Sequence, residues 1–337
     1  MSVKPVIAEY IWLDGKGIAR SKTRVLKLNR DLQIKLDVFP EWNYDGSSTE
    51  QAEGNDSEVI IKPCAIFVDP FRKSSIGNEN FLVLCDTHLP NGEPHPTNTR
   101  HGAVEKFNKG LEHEPMFGIE QEFFLMKGVK PLGEFEKEQG DYYCGTGANN
   151  AIGRECIERA FDNCLYAGLS LTGLNAEVAP SQWELQVCAT GIAAADELHI
   201  MRYILSRTAE EFGWWVEFHP KPVSGDWNGS GCHTNFSTAS MRAPGGISVI
   251  NEAINKLSEK HNLHMENYGV DNDKRMTGKH ETAEYENFSY GVANRGASVR
   301  IPVSTEKNGC GYFEDRRPSS NMDPYRVTSL LFETTTL

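Results

Sequence analysis

Several absences narrow the possibilities first. The eight cysteines (64, 85, 144, 156, 164, 188, 232 and 310) form no CxxC pair and no short-spaced framework. That excludes a zinc ribbon or a disulfide scaffold and predicts reduced thiols. There is no GxxxxGK[ST] loop, and no GxGxxG follows a strand pattern. If a nucleotide is bound, its phosphates must be held by metals and arginines instead of a glycine cradle. No apolar run approaches a membrane span, and no basic N-terminal region precedes an apolar core. Positive charge is in deficit, with 34 Lys and Arg against 47 Asp and Glu, a net charge of −13. That argues against nucleic-acid and anionic-membrane surfaces and suits a site that gathers cations, although solubility alone also accounts for such a charge. Internal repeats and low-complexity tracts are missing too. A cytoplasmic enzyme is the expectation.

What is present is ample apolar content, 39% of 337 residues, enough for one large domain or a small one plus a large one. Residues 5–13, 24–38, 57–69 and 81–86 carry short strand patterns, and Asp45-Gly46 signals a turn between two of them. The first long helical pattern begins near residue 97. Leu89 to Pro96 holds three prolines and a glycine, so it is read as a linker (90–96) between a strand-rich domain 1–89 and a larger domain 97–337. In the latter, helical spacing predicts helices over 99–112, 151–167, 192–212 and 247–261, and Asp323-Pro324 predicts the start of another.

The stretch Met116 to Met126 reads as a strand with Phe117, Ile119, Phe123 and Leu125 on one face and Glu120 and Glu122 on the other. Two residues of rise put those carboxylates roughly 6–7 Å apart. At an effective dielectric of about 20 they repel by about 2.5 kcal/mol. Either a cation covers that face or the face is wet. Similar one-sided polar patterns recur: Glu184 and Gln186 in Gln182–Val187, with Glu177 just before; His233, Asn235 and Ser237 in Cys232–Ser237; Tyr312, Glu314 and Arg316 at the end. Singly, each is an ordinary solvated or core residue. Together they offer an oxygen-rich donor set of the kind that Mg²⁺ or Mn²⁺ takes, while no cysteine spacing supports zinc. Residues 269–291 are polar and punctuated by glycines, which suits a lid or an ordinary surface loop. Arg295, Arg300, Arg316 and Arg317 follow, as grips for phosphate or carboxylate or as surface residues.

Seven segments together resemble glutamine synthetase of the type II, eukaryotic-like class: Trp42–Ser48, Phe117–Glu122, Asn175–Val178, Gln182–Glu184, Trp227–Gly229 through His233–Thr238, Gly291–Arg295 through Arg300–Pro302, and Gly311–Ser319. The resemblance runs in order from about residue 9 to the end of the chain. It implies an α+β fold, a small N-terminal β-grasp domain followed by a larger catalytic domain with a strand-built metal site. It implies ligation of ammonia to L-glutamate at the expense of ATP through γ-glutamyl phosphate. Two to three Mg²⁺ or Mn²⁺ ions per subunit are implied, one held by Glu122, Glu177 and Glu184, another by Glu120, His233 and Glu314. Arg295, Arg300 and Arg316 would serve phosphoryl transfer, and Asn228, Gly229, Arg275 and Arg300 would hold glutamate. Asn235, Ser237 and Tyr312, with Arg295 and Arg300, match nucleotide contacts. Asp45 and Glu281 match the acidic pair at the ammonium site, with Asp45 supplied by a neighbouring subunit of a homo-oligomer of two pentameric rings. Two positions depart from the family: Met116 replaces an adenine-stacking tryptophan, and Ala189 replaces a proline. Two rivals share the fold, a ligase for a bulkier amine and a non-catalytic relative. Asp45 and Glu281 argue against the first, and retention of the metal and phosphate residues against the second.

Overall fold

The computed structural model describes residues 3–73, 80–135 and 139–337. The chain forms two compact units, Met1–Gly102 with Asp162–Leu169, and Ala103–Phe161 with Ser170–Leu337.

The first unit is built on a five-stranded sheet of β1 (Val3–Leu13), β2 (Ala19–Asn29), β3 (Trp42–Asp45), β4 (Glu58–Val68) and β5 (Phe81–His88), ordered β2-β1-β5-β4-β3. β1 runs parallel to β5 and antiparallel to β2. Val6, Ala8, Tyr10 and Trp12 alternate into a core with Val59, Ile61, Phe81 and Val83, as a half-buried sheet requires. One sequence expectation fails here. The strand expected over 24–38 ends at Asn29, and Leu36–Val38 is instead a single 3₁₀ turn. The turn expected at Asp45-Gly46 is present, but the strand leading into it, Trp42–Asp45, paired with Ile61–Glu58, was not expected. Asp45 then N-caps the 3₁₀ turn Gly46–Thr49, accepting hydrogen bonds from the Ser47 N–H (3.0 Å) and hydroxyl (2.6 Å). Leu89–Pro96 is a folded turn within this unit, the His95 N–H donating to the Thr87 carbonyl at 3.0 Å.

The second unit carries a nine-stranded sheet. Its strands are β6 (Met116–Lys127), β7 (Lys130–Pro131), β8 (Leu171–Ala176), β9 (Gln182–Thr190), β10 (Trp215–Glu217), β11 (Cys232–Ser237), β12 (Tyr290–Val292), β13 (Val299–Ile301) and β14 (Phe313–Asp315). The main path is β12-β13-β14-β11-β6-β9-β8, with β7 and β10 pairing the far end of β6. Helix Ile192–Glu211 packs against β6 and β9 and against helix Pro324–Thr336. Phe117, Ile119, Phe123 and Leu125 are buried. Gln121, in line with them, is satisfied: its amide accepts from Arg202 Nε (2.8 Å) and donates to the Ser320 carbonyl (3.0 Å). The opposite face of β6 is not polar throughout. Past Glu122, Phe124 and Met126 are buried in a small cluster with Ala179, edged by Phe135, Val223 and Trp227.

The helices are shorter than their patterns suggested, the second starting later and the others ending earlier. The observed spans are Thr99–Phe107, Arg154–Ala167, Ile192–Glu211 and Ile247–Glu259, the last followed by a separate turn of helix, His261–Met265. Gly168 and Gly213, both at positive φ, terminate the second and third. Asp323 caps the final helix as expected, accepting from the Tyr325 N–H at 2.9 Å.

Candidate active site

Strand register explains how acidic residues from distant segments meet. Residues directly opposite one another on antiparallel strands share a face with Cβ atoms about 5 Å apart. Across β6 and β11, Glu120 stands opposite His233. Across β6 and β9, Glu122 stands opposite Glu184. Asn235 on β11 faces Glu314 on β14, and Glu314 faces Arg300 on β13. Glu177 enters from the bend between β8 and β9, its carboxylate accepting from Asn175 Nδ2 at 2.8 Å.

The result is two clusters, Glu120/His233/Glu314 and Glu122/Glu177/Glu184, each with donor atoms within 4.8 Å of one another. They differ in how their charge is balanced. Glu314 is paired with Arg300 and with Arg316, whose Nη1 lies 2.7 Å from its Oε1. His233 Nδ1 sits 3.5 Å from both Glu120 and Glu314. The second cluster meets only neutral donors. Glu122 accepts from the Gly231 N–H at 2.8 Å, and Glu184 from Gln186 Nε2 at 2.6 Å. No lysine or arginine among the described residues forms an ion pair with its three carboxylates.

Burial therefore dominates their ionisation. It lifts the Glu122 carboxyl to about 7, although the Gly231 N–H and the charges of Arg275 and Arg316 pull the other way. Burial, then repulsion from Glu120 and Glu122, lifts Glu184 to about 8. Glu177 is raised well above its usual range by burial and by Glu122 and Glu184. His233 is held neutral by burial and by Arg316, which is the form that ligates metals. Three crowded carboxylates without an ion-pair partner among the described residues fit a hard divalent cation, and the donors, five carboxylates and one imidazole, are those of Mg²⁺ or Mn²⁺.

Both clusters open on one cavity of about 220 Å³, lined by six glutamates and four arginines. Asn228, Gly229, Arg275, Glu281, Arg295, Arg300 and Arg316 all line it. Arg316 ties its parts together, donating to the Arg295 carbonyl (3.1 Å) and the Glu281 carbonyl (3.2 Å) as well as to Glu314. Arg275 is not part of an exposed lid, as its polar neighbourhood suggested. It is buried, its guanidinium donating to Asn272 Oδ1 at 3.0 Å and to the Arg317 carbonyl at 2.7 Å, and burial lowers it to about 10. Only the tighter loop 277–284 projects beyond it, closed by a Thr277–Glu284 bridge. Gly229 and Gly231 leave room for this packing. A Cβ on Gly231 would stand 2.9 Å from His233 Nε2 and 3.0 Å from Arg275 Nη1. Asp45 belongs to the first unit, is exposed, and is not among the described residues lining the cavity.

A sequence profile described as "Glutamine synthetase, catalytic domain" matches residues 96–260. Glutamine synthetase cytosolic isozyme 1-5 of Arabidopsis thaliana is 56% identical over 344 residues, covering 99% of this chain and 96% of the relative. The nodule isozyme of Lupinus luteus is 54% identical, covering 100% and 96%. Glutamine synthetase of Kluyveromyces lactis is 52% identical, covering 98% and 88%. The chain belongs to the glutamine synthetase family. It is of the eukaryotic-type class, and its reaction is ATP-dependent synthesis of glutamine from glutamate and ammonia.

A glutamine synthetase needs room for a nucleotide, and a second cavity of about 410 Å³ adjoins the first. Glu120 and Gln186 line both. Asn235, Ser237 and Tyr312 line the second, together with Met116 and Arg242. Ser237 Oγ accepts from Arg242 Nη1 at 3.0 Å, and Asn235 Nδ2 donates to Glu120 at 2.8 Å. Ala189, expected beside the base, is not among the lining residues. It pairs with Phe117, and Cys188, one residue earlier, faces this cavity instead. Met116 is 37% exposed at the rim. A thioether offers less flat area than an indole, so Met116→Trp is expected to tighten ATP binding about fivefold, the low end of base–aromatic stacking. Nucleotide titration of both proteins checks this; equal affinities contradict it.

Sequence reasoning missed Tyr143, Gln139 and His280. Tyr143 and His280 line the glutamine synthetase cavity, the former hydrogen-bonding Arg295. Gln139 Oε1 accepts from the Asn228 N–H at 2.7 Å. All three sit on loops, where no strand or helix period marks a face.

Proposed function

We propose that the two clusters hold divalent ions, Mg²⁺ or Mn²⁺, two to three per subunit, and that the residues around them divide the ligation as follows. Glu122, Glu177 and Glu184 hold one ion, and Glu120, His233 and Glu314 another. When bound, such ions neutralise phosphoryl oxygens and align them with the acceptor. ATP occupies the cavity lined by Asn235, Ser237 and Tyr312, with its phosphates directed past Glu120 toward Arg295 and Arg300. Asn228, Gly229 and Arg275 take the amino-acid end of glutamate, leaving the γ-carboxylate near Arg300 and Arg316.

The γ-phosphoryl group passes to that carboxylate, giving γ-glutamyl phosphate and ADP. The arginines offset charge spread over the transferring oxygens. Glu281 and Asp45 take a proton from ammonium. The freed ammonia forms the C–N bond as the acyl C–O bond breaks, and phosphate leaves with the further proton that the nitrogen sheds. By the family's pattern, we assign Asp45, a residue of the first unit, to the active site of a neighbouring subunit in a homo-oligomer of two pentameric rings. Residues 1–89, most of the first unit, are then the β-grasp domain and residues 97–337, which include the second unit, the catalytic domain, with 90–96 between them. The protein acts in the cytosol, without nucleic acid or membrane; no helix among the described residues is long and apolar enough to cross a bilayer.

The observation that carries this reading is the pair of metal-type clusters sharing one cavity with Arg295, Arg300 and Arg316. A phosphate-release assay with glutamate, ATP and Mg²⁺ tests it. Release is expected with ammonium and not with a polyamine; release with the polyamine alone would assign the chain to a different ligase.

A further inference from the structure

The loop 277–284 presents Glu281 to the cavity at a conformational cost. His280 (φ 55°) and Glu281 (φ 61°) are consecutive non-glycine residues in the left-handed region. Side chains with a Cβ disfavour that region, so the tip keeps this shape only if outside contacts hold it. Bonds inside the loop, such as Thr282 Oγ1 to the Lys279 carbonyl at 2.7 Å, close its base. Holding the tip falls to Arg316, which donates to the Glu281 carbonyl, to Arg295, whose Nη1 lies 3.6 Å from the Glu281 carboxylate, and to the His280 ring.

That ring is bonded on both sides. Nδ1 lies 2.7 Å from Gln139 Nε2, and Nε2 lies 2.9 Å from Asp226 Oδ1. The polarity of this chain of bonds is fixed from its far end. Gln139 Oε1 accepts from the Asn228 N–H, so its amide nitrogen can only donate to His280. Nδ1 must then be the acceptor, and the ring proton sits on Nε2, donating to Asp226. One imidazole thus connects the tip carrying Glu281 to the segment carrying Asn228 and Gly229.

We propose that His280 is a positioning residue, its imidazole latching the 277–284 loop between Gln139 and Asp226 so that Glu281 is held over the cavity. The proposal rests on the assignment of Glu281 to the ammonium side of the reaction. It adds that the latch, through the same loop, limits water access to the acyl phosphate.

The test compares wild type with His280→Ala, His280→Gln, Asp226→Ala and Glu281→Ala, measuring KM for ammonium and the ratio of phosphate released to glutamine formed. Wild type is expected to give a ratio near one. His280→Ala and Asp226→Ala should raise the ammonium KM about tenfold and at least double the ratio. Asp226 is exposed, so its loss should leave the fold intact. His280→Gln, which retains an acceptor and a donor, should recover part of both effects. If Glu281→Ala changes both quantities while His280→Ala and Asp226→Ala leave both at wild-type values, the latch is wrong and the role of Glu281 stands. If Glu281→Ala leaves the ammonium KM unchanged, the assignment of Glu281 itself fails. A fall in stability without change in KM or ratio would make His280 merely structural and overturn the proposal.

Discussion

Glu184→Gln is expected to stabilise the metal-free protein at pH 8 while reducing glutamine formation by at least about a hundredfold in Mg²⁺, the upper end of losing a supporting contact at a metal. Both effects have one cause. Buried beside Glu120 and Glu122, the Glu184 carboxyl is raised to about 8 from an ordinary value of 4.5. Between those values the folded state binds more protons than the unfolded chain, so stability falls as pH rises. Glu122, raised to about 7, and Glu177 contribute with the same sign. Without divalent ions, wild type should therefore lose stability from about pH 5 to pH 8. Glutamine at 184 removes one ionisation and keeps the acceptor that Gln186 meets, so the variant's decline should be shallower by a few kcal/mol across that interval. Adding Mg²⁺ reverses the order. Ligand at 100 times its Kd stabilises the folded state by about 2.7 kcal/mol, a gain the variant should largely lose. Urea unfolding at pH 5 and pH 8, with EDTA and with Mg²⁺, measures all four quantities. A variant less stable than wild type in EDTA at pH 8 would contradict this reading of the cluster.

Arg316→Lys is expected to lower kcat about a thousandfold although the charge is kept. Arg316 directs three separate donors, to Glu314 at 2.7 Å, to the Arg295 carbonyl at 3.1 Å and to the Glu281 carbonyl at 3.2 Å. A lysine ammonium on a flexible stem cannot meet all three in that geometry. The substitution also withdraws a planar cation from where charge develops during phosphoryl transfer, an interaction worth 10³–10⁵ in comparable arginines. Because the charge survives, Mg²⁺ affinity should change little. Steady-state kinetics with a parallel Mg²⁺ titration separates these effects. A kcat within tenfold of wild type would remove Arg316 from the catalytic assignment.

Much of the site was legible in the sequence because side-chain direction along a strand has a period of two. Glu120 and Glu122, Glu184 and Gln186, and His233 and Asn235 could each be placed on one face before any partner strand was known. The pairing order was not legible. Nothing local says that Glu122 faces Glu184 instead of His233, because that follows from register across segments more than 60 residues apart. The resemblance grouped the six residues of the two clusters where period alone could not. Reading failed where local chemistry competes with periodicity. Leu32, Ile34, Leu36 and Val38 extended a strand pattern past its end at Asn29, and Trp42–Asp45, read only as the approach to a turn, also forms a strand. Arg275 looked like lid surface because its neighbours Asp273 and Lys274 are polar, yet it is buried on carbonyl acceptors. Gln139 and His280 carried no signal, since a loop hydrogen bond across 141 residues leaves no trace in composition.

The central claim is that the two clusters bind divalent cations separately. Equilibrium dialysis of Mn²⁺ against wild type, Glu184→Gln and His233→Ala tests it most directly. At least two ions per chain are expected for wild type and one fewer for each variant, with the two losses adding in the double variant. Wild-type stoichiometry in both single variants would contradict the account.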